Sequence, residues 1–304
     1  MEFGLALQNH GEGAAPEGIE ASAEAVTRHG WRGVWAVDHL MVGESNAHDY
    51  GLMLEPLLSL AHLGARFPAI RLATGVLVPP MRDAPQLAKE LATLDVLSGG
   101  RVTVGVGVGD EEDLVEYENL GKGERFRRRG AYLDETIALW RHLWSGNTEP
   151  FDGAFHQLRD YRFLPLPIQG AALPIVSGGR SDRALARVGR ITDGYYSSRW
   201  GPDDLRARWP AVLGAAADAG RPRPSLSTRV RVRPGQPPDG RYSVCGTPAE
   251  MLRELMGYAE VGTDEFVAVF DAVLPEDIER AVDRFMDEVG GPFREAQGRS
   301  TAAG

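Results

Sequence analysis

Two groups of residues in this sequence carry side chains suited to acid–base and cofactor chemistry. Asp38 and His39 follow a short apolar run, and histidine exchanges protons near neutral pH. A second apolar run ends in GVGVGD, residues 105–110, with glycine at every second position before an aspartate. Glycines at a strand end let a flat ligand approach the backbone, and the acid beyond them can bind that ligand or move a proton. We therefore predict a cofactor site at these two positions.

The elements that must position these residues alternate along the chain, eight strands with eight helices. The predicted strands are 3–7, 33–37, 70–77, 102–108, 174–177, 194–197, 225–232 and 265–270. The predicted helices are 17–29, 54–66, 84–97, 131–144, 181–188, 202–219, 247–261 and 275–289. Alternation indicates a parallel sheet, and eight repeats indicate an α/β fold of the (β/α)8 TIM-barrel type. Active sites of such barrels lie at the carboxyl ends of the strands.

The alternation predicts a single domain over residues 1–294. Two long connections interrupt it, at residues 110–130 and 146–173, and the second is an insertion before the fifth strand. Connections of this length inside a compact domain are usually functional. Residues 295–304 are small and polar, so we predict a disordered tail there.

Composition excludes several functions. The 304 residues carry a net charge of −10, which argues against a nucleic-acid partner. No apolar run approaches the roughly 18 residues of a membrane-spanning helix, and the first residues do not resemble a signal peptide, so we expect a cytoplasmic protein without a membrane partner. Cys245 is the only cysteine, and neither an HxH pair on a strand nor an HExxH motif occurs, so no metal site is predicted.

The residues alone leave each candidate site with a structural alternative. Asp38 and His39 could simply cap a strand end, and Asp110 could cap a loop. Gly75, within the third predicted strand, could be an ordinary strand glycine. The turn at residues 177–180, SGGR, precedes a predicted helix; it could bind an anion at the helix start or be only a tight connection.

Four landmarks along the chain resemble the superfamily of luciferase-like monooxygenases, and more narrowly its branch that uses the deazaflavin coenzyme F-420 (F420). The landmarks are residues 35–40 (WAVDHL), 74–76 (TGV), 105–110 with 126–130 (GVGVGD and FRRRG), and 246–250 with 262–266 (GTPAE and GTDEF). They occur in order over residues 1–290, and the resemblance implies the same (β/α)8 barrel.

The resemblance implies hydride transfer between coenzyme F420 and a small organic substrate. The residues it places beside the coenzyme ring are Asp38, Thr74, Gly75, Val76, Gly107 and Gly109, with a cis peptide bond between Gly75 and Val76. His39 and Asp110 are the expected catalytic residues, as proton-transfer groups, although relatives often have glutamate at the position of Asp110. The residues expected at the coenzyme's tail or phosphate are Ser177, Gly178, Gly179 and Arg180.

The resemblance also implies a homodimer. It leaves two other functions open: a monooxygenase that uses reduced FMN, and a flavin- or deazaflavin-binding protein without catalytic activity. The substrate and the direction of hydride transfer do not follow from the residues, because substrate contacts lie on variable loops.

Overall fold

Eight parallel strands form a closed barrel in the computed structural model, which describes residues 1–240 and 242–302. The strands are Glu2–Ala6, Gly33–Ala36, Arg71–Thr74, Val102–Val106, Ile175–Ser177, Gly194–Ser198, Ser225–Pro234 and Glu265–Phe270. Each pairs with the next, and the eighth pairs with the first, where Phe3 lies opposite Phe266. The predicted (β/α)8 barrel is confirmed.

A helix follows every barrel strand. These helices are Pro16–Arg28, Pro56–Arg66, Ala84–Ser98, Arg129–Trp144, Asp182–Ile191, Pro202–Asp218, Pro248–Val261 and Pro275–Phe285. Proline occupies one of the first two positions in six of them, where its fixed φ suits the first turn and no intrahelical N–H is lost. These prolines explain why the predicted helix starts agree with the structure to within a few residues.

The remaining elements are short and lie in the connections. The short strands are Phe151–Asp152, Gln157–Leu158 and Ser243–Gly246, and the short α-helices are Ala47–Tyr50, Leu114–Asn119 and Gly123–Phe126. Single turns occupy Glu44–Asn46, Pro79–Met81, Glu111–Asp113, Gly170–Ala172 and Met286–Gly290. The first two short strands form an antiparallel hairpin, which lies in the predicted insertion before the fifth barrel strand. Among the described residues, no helix combines the length and apolar character needed to cross a bilayer.

The chain ends differently from the sequence-based prediction. The helix Gly291–Ala302 covers residues 295–302, where we predicted a disordered tail from residue 295, and the domain boundary at residue 294 stays a prediction. Phe293 anchors this helix, because its ring is fully buried 5.7 Å from the ring of Phe3. Arg294 adds a hydrogen bond of 2.9 Å to the carbonyl of His29. Residues 303 and 304 lie outside the described residues.

Side chains fill the barrel interior. Trp35 and Tyr196 come from the second and sixth strands, which are not neighbours, and their rings stack with centroids 4.5 Å apart. At the amino-terminal end, the indole N–H of Trp35 donates to Glu265 over 2.9 Å. The interior is therefore a packed core, and in such barrels ligands bind at the carboxyl ends of the strands.

Candidate functional site

The third barrel strand ends in a bend at the face where the site was predicted. A cis peptide bond joins Gly75 to Val76, as the resemblance implied. The chain then pairs again with the fourth strand, since the N–H of Leu77 donates to the carbonyl of Gly105 over 2.8 Å. The Thr74 hydroxyl donates to that carbonyl and accepts from the N–H of Gly105, both at 2.8 Å. Thr74 therefore completes the pairing where the backbone bends away.

The glycines just after the fourth strand make room for side chains of this chain. A Cβ on Gly107 would lie 2.8 Å from a methyl carbon of Val76. Gly109 has φ of +75°, and a Cβ there would lie 2.7 Å from the carboxylate of Asp113. The fold itself therefore requires glycine at both positions, because a larger side chain would clash with Val76 or Asp113. Their direct contact with a ring stays a prediction.

His39 follows the second strand, and Glu116 holds its imidazole. Nδ1 lies 2.8 Å from Oε2 of Glu116, and the ring packs 4.6 Å from that of Tyr50. A carboxylate can only accept, so Nδ1 carries the hydrogen and Nε2 is left to exchange a proton. Glu116 is 1% exposed, and its other oxygen accepts from the backbone N–H groups of Leu40 and Met41. One buried carboxylate, itself held by two backbone N–H groups, therefore fixes the orientation of the imidazole ring.

Glu116 also changes the protonation of His39. Burial lowers the pKa of His39, but the hydrogen bond and charge of Glu116, with the charges of Asp113 and Asp38, outweigh burial and raise this pKa above its ordinary value. Burial raises the pKa of Glu116, yet its hydrogen bonds to His39 and to two backbone N–H groups bring it below the usual range. The pair therefore favours a protonated imidazole beside an ionised carboxylate.

Asp113 is a second buried acid beside His39. Potential ligand atoms of His39, Asp113 and Glu116 all lie within 4.8 Å of one another, although the sequence predicted no metal site. Burial raises the pKa of Asp113, and its Oδ2 accepts from the backbone N–H of Asp110 over 2.7 Å. Both oxygens of Glu116 already accept hydrogen bonds. His39 and Glu116 are therefore joined by a hydrogen bond, and Asp113 lies beside this pair with its own bond to the backbone of Asp110.

Asp110 is exposed at the start of the turn Glu111–Asp113. Its role as a catalytic residue stays a prediction. The acids that the fold brings closest to His39 are Glu116 and Asp113, which sequence reasoning missed.

Asp38 is 3% exposed and both of its carboxylate oxygens are used. One accepts from the backbone N–H of Val78 and from Nε of Arg82, each at 3.0 Å, and the other accepts from Nη2 of Arg82 at 2.5 Å. The same guanidinium reaches Glu55 at 3.0 Å. Asp38 therefore anchors the loop that follows the cis peptide bend.

The turn before the helix Asp182–Ile191 has unused donors. Ser177 is buried, and its hydroxyl donates to the carbonyl of Gly178 over a long 3.3 Å. Among the described residues, none accepts a hydrogen bond from the backbone N–H of Gly179 or Arg180. Arg180 is also exposed and has no carboxylate partner within that part of the chain. An anion at this turn would meet free N–H groups and one unpaired cation.

Replacing Glu116 with glutamine should lower the pKa of His39. The variant removes the charge and exchanges the carboxylate acceptor for an amide, while the burial that lowers this pKa remains. Titration of the histidine resonances by NMR measures the change. Glu118→Gln is the matched control, because Glu118 is exposed on the same short helix, Leu114–Asn119. An unchanged His39 titration in Glu116→Gln would mean that other charges set this pKa.

Comparison with known proteins agrees with this geometry. The family of luciferase-like monooxygenases matches residues 1–237. An F420-dependent glucose-6-phosphate dehydrogenase of Mycobacterium leprae is 29% identical over 78% of this chain and 70% of its own length. An F420-dependent hydroxymycolic acid dehydrogenase of Mycobacterium tuberculosis is 32% identical over 70% of this chain and 58% of its own.

A solved structure also has this fold. The coenzyme F420-dependent tetrahydromethanopterin reductase of Methanopyrus kandleri superposes with a TM-score of 0.78 at 18% identity, covering 96% of this chain and 99% of its own. At this identity the likeness concerns the barrel alone. The match over residues 1–237, more than half of the chain, shows the family. This chain belongs to the family of luciferase-like monooxygenases.

Proposed function

We propose that this protein is an oxidoreductase that transfers a hydride between coenzyme F420 and a small organic substrate. The relatives reported above are F420-dependent dehydrogenases, and one of them matches more than two thirds of both chains. The structural observation that carries the proposal is His39, held by a buried carboxylate at the same barrel face as the cis peptide bend. This face combines an open backbone surface with a group able to exchange protons.

The residues present fit this coenzyme. Tyr196 has a buried hydroxyl without a hydrogen-bond partner in the described ranges, and a Cβ on Gly75 would lie 2.5 Å from it. The backbone of Gly75 therefore lies against the Tyr196 hydroxyl, which is free to bind a ligand atom. We propose that Gly75, Val76, Gly107 and Gly109 support the ring, with Thr74 and Asp38 holding the bend behind them.

The acidic part of the coenzyme would bind at a second place on the same face. The turn that contains Ser177, Gly178, Gly179 and Arg180 offers free N–H groups and an unpaired guanidinium, which suit a phosphate or carboxylate. When bound, the coenzyme supplies the carbon that gives or takes the hydride. Protein groups then have to orient the ring and manage the proton.

His39 is the group that we assign to the proton. Reduction of a carbonyl by a hydride needs one proton at the oxygen, and oxidation of an alcohol releases one. Nε2 of His39 can serve in either direction, because Nδ1 stays hydrogen-bonded to Glu116. Glu116 keeps the imidazole in one orientation and stabilises its charged form. Asp110, at the start of the turn Glu111–Asp113, remains a second candidate for proton transfer.

Titration of the purified protein with the two cofactors tests the proposal. We expect coenzyme F420 fluorescence to change with micromolar or tighter saturation, and FMN to bind much more weakly. Arg180→Met should weaken F420 binding, whereas Arg190→Met should not, because Arg190 is exposed in the last turn of the helix Asp182–Ile191, at the opposite end of the barrel.

Two results would contradict the proposal. Equal or tighter binding of FMN would favour a monooxygenase that uses reduced FMN. Tight F420 binding without turnover on a broad panel of alcohols, carbonyls, imines and enones would favour a binding protein without catalytic activity.

We also propose a homodimer, on the strength of the family resemblance, and a cytoplasmic location, as the sequence analysis predicted. Each chain has a mass of 33.0 kDa. Light scattering should therefore give a mass about twice that of one chain, and a mass equal to one chain would contradict the dimer.

A further inference from the structure

The seventh barrel strand carries three arginines on one face. It is the long strand Ser225–Pro234, and Arg229, Arg231 and Arg233 occupy alternate positions in it. Alternate side chains of a strand share a face. Arg229 pairs in register with Val267, whose side chain packs in the interior cluster with Trp35 and Tyr196. Residues paired in register point to the same side of a sheet, so Arg229 faces the barrel interior.

Two of these three charges are compensated. Arg231 lies 2.7 Å from Asp271 and 3.2 Å from Asp239, and Arg233 lies 3.0 Å from Asp239. In residues 1–240 and 242–302, no carboxylate lies within ion-pair distance of Arg229, and its buried Nε has no hydrogen-bond partner. Leaving a partly buried guanidinium unpaired is costly, so this side chain is suited to an anion that arrives from solution.

The surroundings of Arg229 place it near the proposed proton-transfer group. Burial, then the charge of Arg229 and, less strongly, the charge of His39 lower the pKa of His10 to about 4, although the hydrogen bond and charge of Asp49 raise it. Tyr50 lies between the two imidazoles, with ring centroids 5.1 Å from His10 and 4.6 Å from His39. Burial raises the pKa of Tyr196, whose hydroxyl has no hydrogen-bond partner among the described residues, and the charge of Arg229 opposes that rise. One end of the barrel therefore holds an unpaired cation and a histidine that can exchange protons.

We propose that Arg229 binds an anionic oxygen group of the substrate, a carboxylate or a phosphate, and thereby orients the reacting carbon toward the coenzyme ring and the oxygen on that carbon toward His39. This inference rests on the proposed function and narrows its substrate class to organic acids or phosphate esters. A guanidinium is suited to both anions, because its planar fork donates two parallel hydrogen bonds. The anion takes no part in the hydride transfer and serves only to bind and position the substrate.

The experiment uses the protein loaded with coenzyme F420 and three probes: inorganic phosphate, acetate and the uncharged acetamide. We expect phosphate or acetate to bind and acetamide not to bind, and the tighter anion identifies the class. Arg229→Met should weaken anion binding at least about tenfold, as expected for a charged hydrogen bond. Arg190→Met is the matched control and should bind as the wild type does, while Arg229→Lys should retain part of the affinity.

NMR titration of His10 provides a second readout that a purely structural role of Arg229 would not move. An anion on Arg229 compensates the charge that helps to lower the pKa of His10, so that pKa should rise when phosphate or acetate binds. The same rise should be absent in Arg229→Met on addition of the anion.

Several results would overturn the inference. Wild-type protein that binds neither anion, or Arg229→Met that binds them as the wild type does, contradicts it directly. Loss of F420 affinity in Arg229→Met with unchanged anion binding would assign Arg229 to the coenzyme and leave the proposed function standing. If the wild type binds no F420, the proposed function fails, and anion binding that depends on Arg229 in the coenzyme-free protein would still support the anion site.

Discussion

Replacing His39 with alanine is expected to lower turnover by about 10²–10⁴-fold, the usual contribution of a general acid–base group. The reason is that Nε2 of His39 is left to exchange a proton while Glu116 holds Nδ1. Coenzyme affinity should change only modestly. The pH–rate profile should lose the limb that reports His39, and in the wild type that limb should lie above pH 6.5, because Glu116 raises the pKa of His39.

His62→Ala is the control for this experiment. His62 is exposed on the outer helix Pro56–Arg66, where it contacts Glu20, so its loss should leave turnover unchanged. The rates are measured on the substrate that the panel of alcohols and carbonyls identifies. Turnover of His39→Ala close to the wild-type rate would mean that the proton comes from water or from a loop residue such as Asp110.

Replacing Asp38 with alanine is expected to destabilise the fold by about 3 kcal/mol or more, the typical cost of breaking a buried ion pair. The change removes the carboxylate that accepts two hydrogen bonds from Arg82 and one from the N–H of Val78. Arg82 would keep only its contact with Glu55. Urea denaturation measures the loss, and Asp38→Asn should lose less because an amide can still accept one of these bonds.

Asp218→Ala is the matched control, since Asp218 is exposed at the end of the helix Pro202–Asp218 and its removal should leave stability within about 0.5 kcal/mol. The experiment also decides between two roles of Asp38. If Asp38 chiefly binds the coenzyme ring, as the resemblance implies, the alanine variant should keep its stability and lose coenzyme affinity instead.

The barrel could be predicted from the sequence because its signals are local. Each helix and strand can be recognised from the spacing of its apolar residues, and proline marks most helix starts. The third strand shows where this reasoning fails. We predicted a strand over residues 70–77, but the strand ends at Thr74, since the bend at the cis peptide interrupts it. The last helix was missed because Phe293, a single buried ring, outweighs a polar composition.

The candidate site divides in the same way. His39 and the bend at residues 75–76 could each be predicted from a motif of a few consecutive residues, 35–40 and 74–76. The partner of His39 could not, because Glu116 lies 77 residues away, in the loop region after the fourth strand. Asp110 was predicted as the acid of this region from its position after the glycines and from the family resemblance. Which acid is buried beside the imidazole depends on how that loop folds over the barrel.

The sequence by itself determined the (β/α)8 barrel, the family and the strand ends at which chemistry can occur. Only the tertiary structure decided that Asp38 anchors a loop, that Glu116 holds His39 and that Arg229 faces the barrel interior without a carboxylate partner among the described residues. The physical reason is that strand periodicity is a property of neighbouring residues. Burial and ion pairing depend on which distant segments meet when the barrel closes, and they decide which charged groups are free to act.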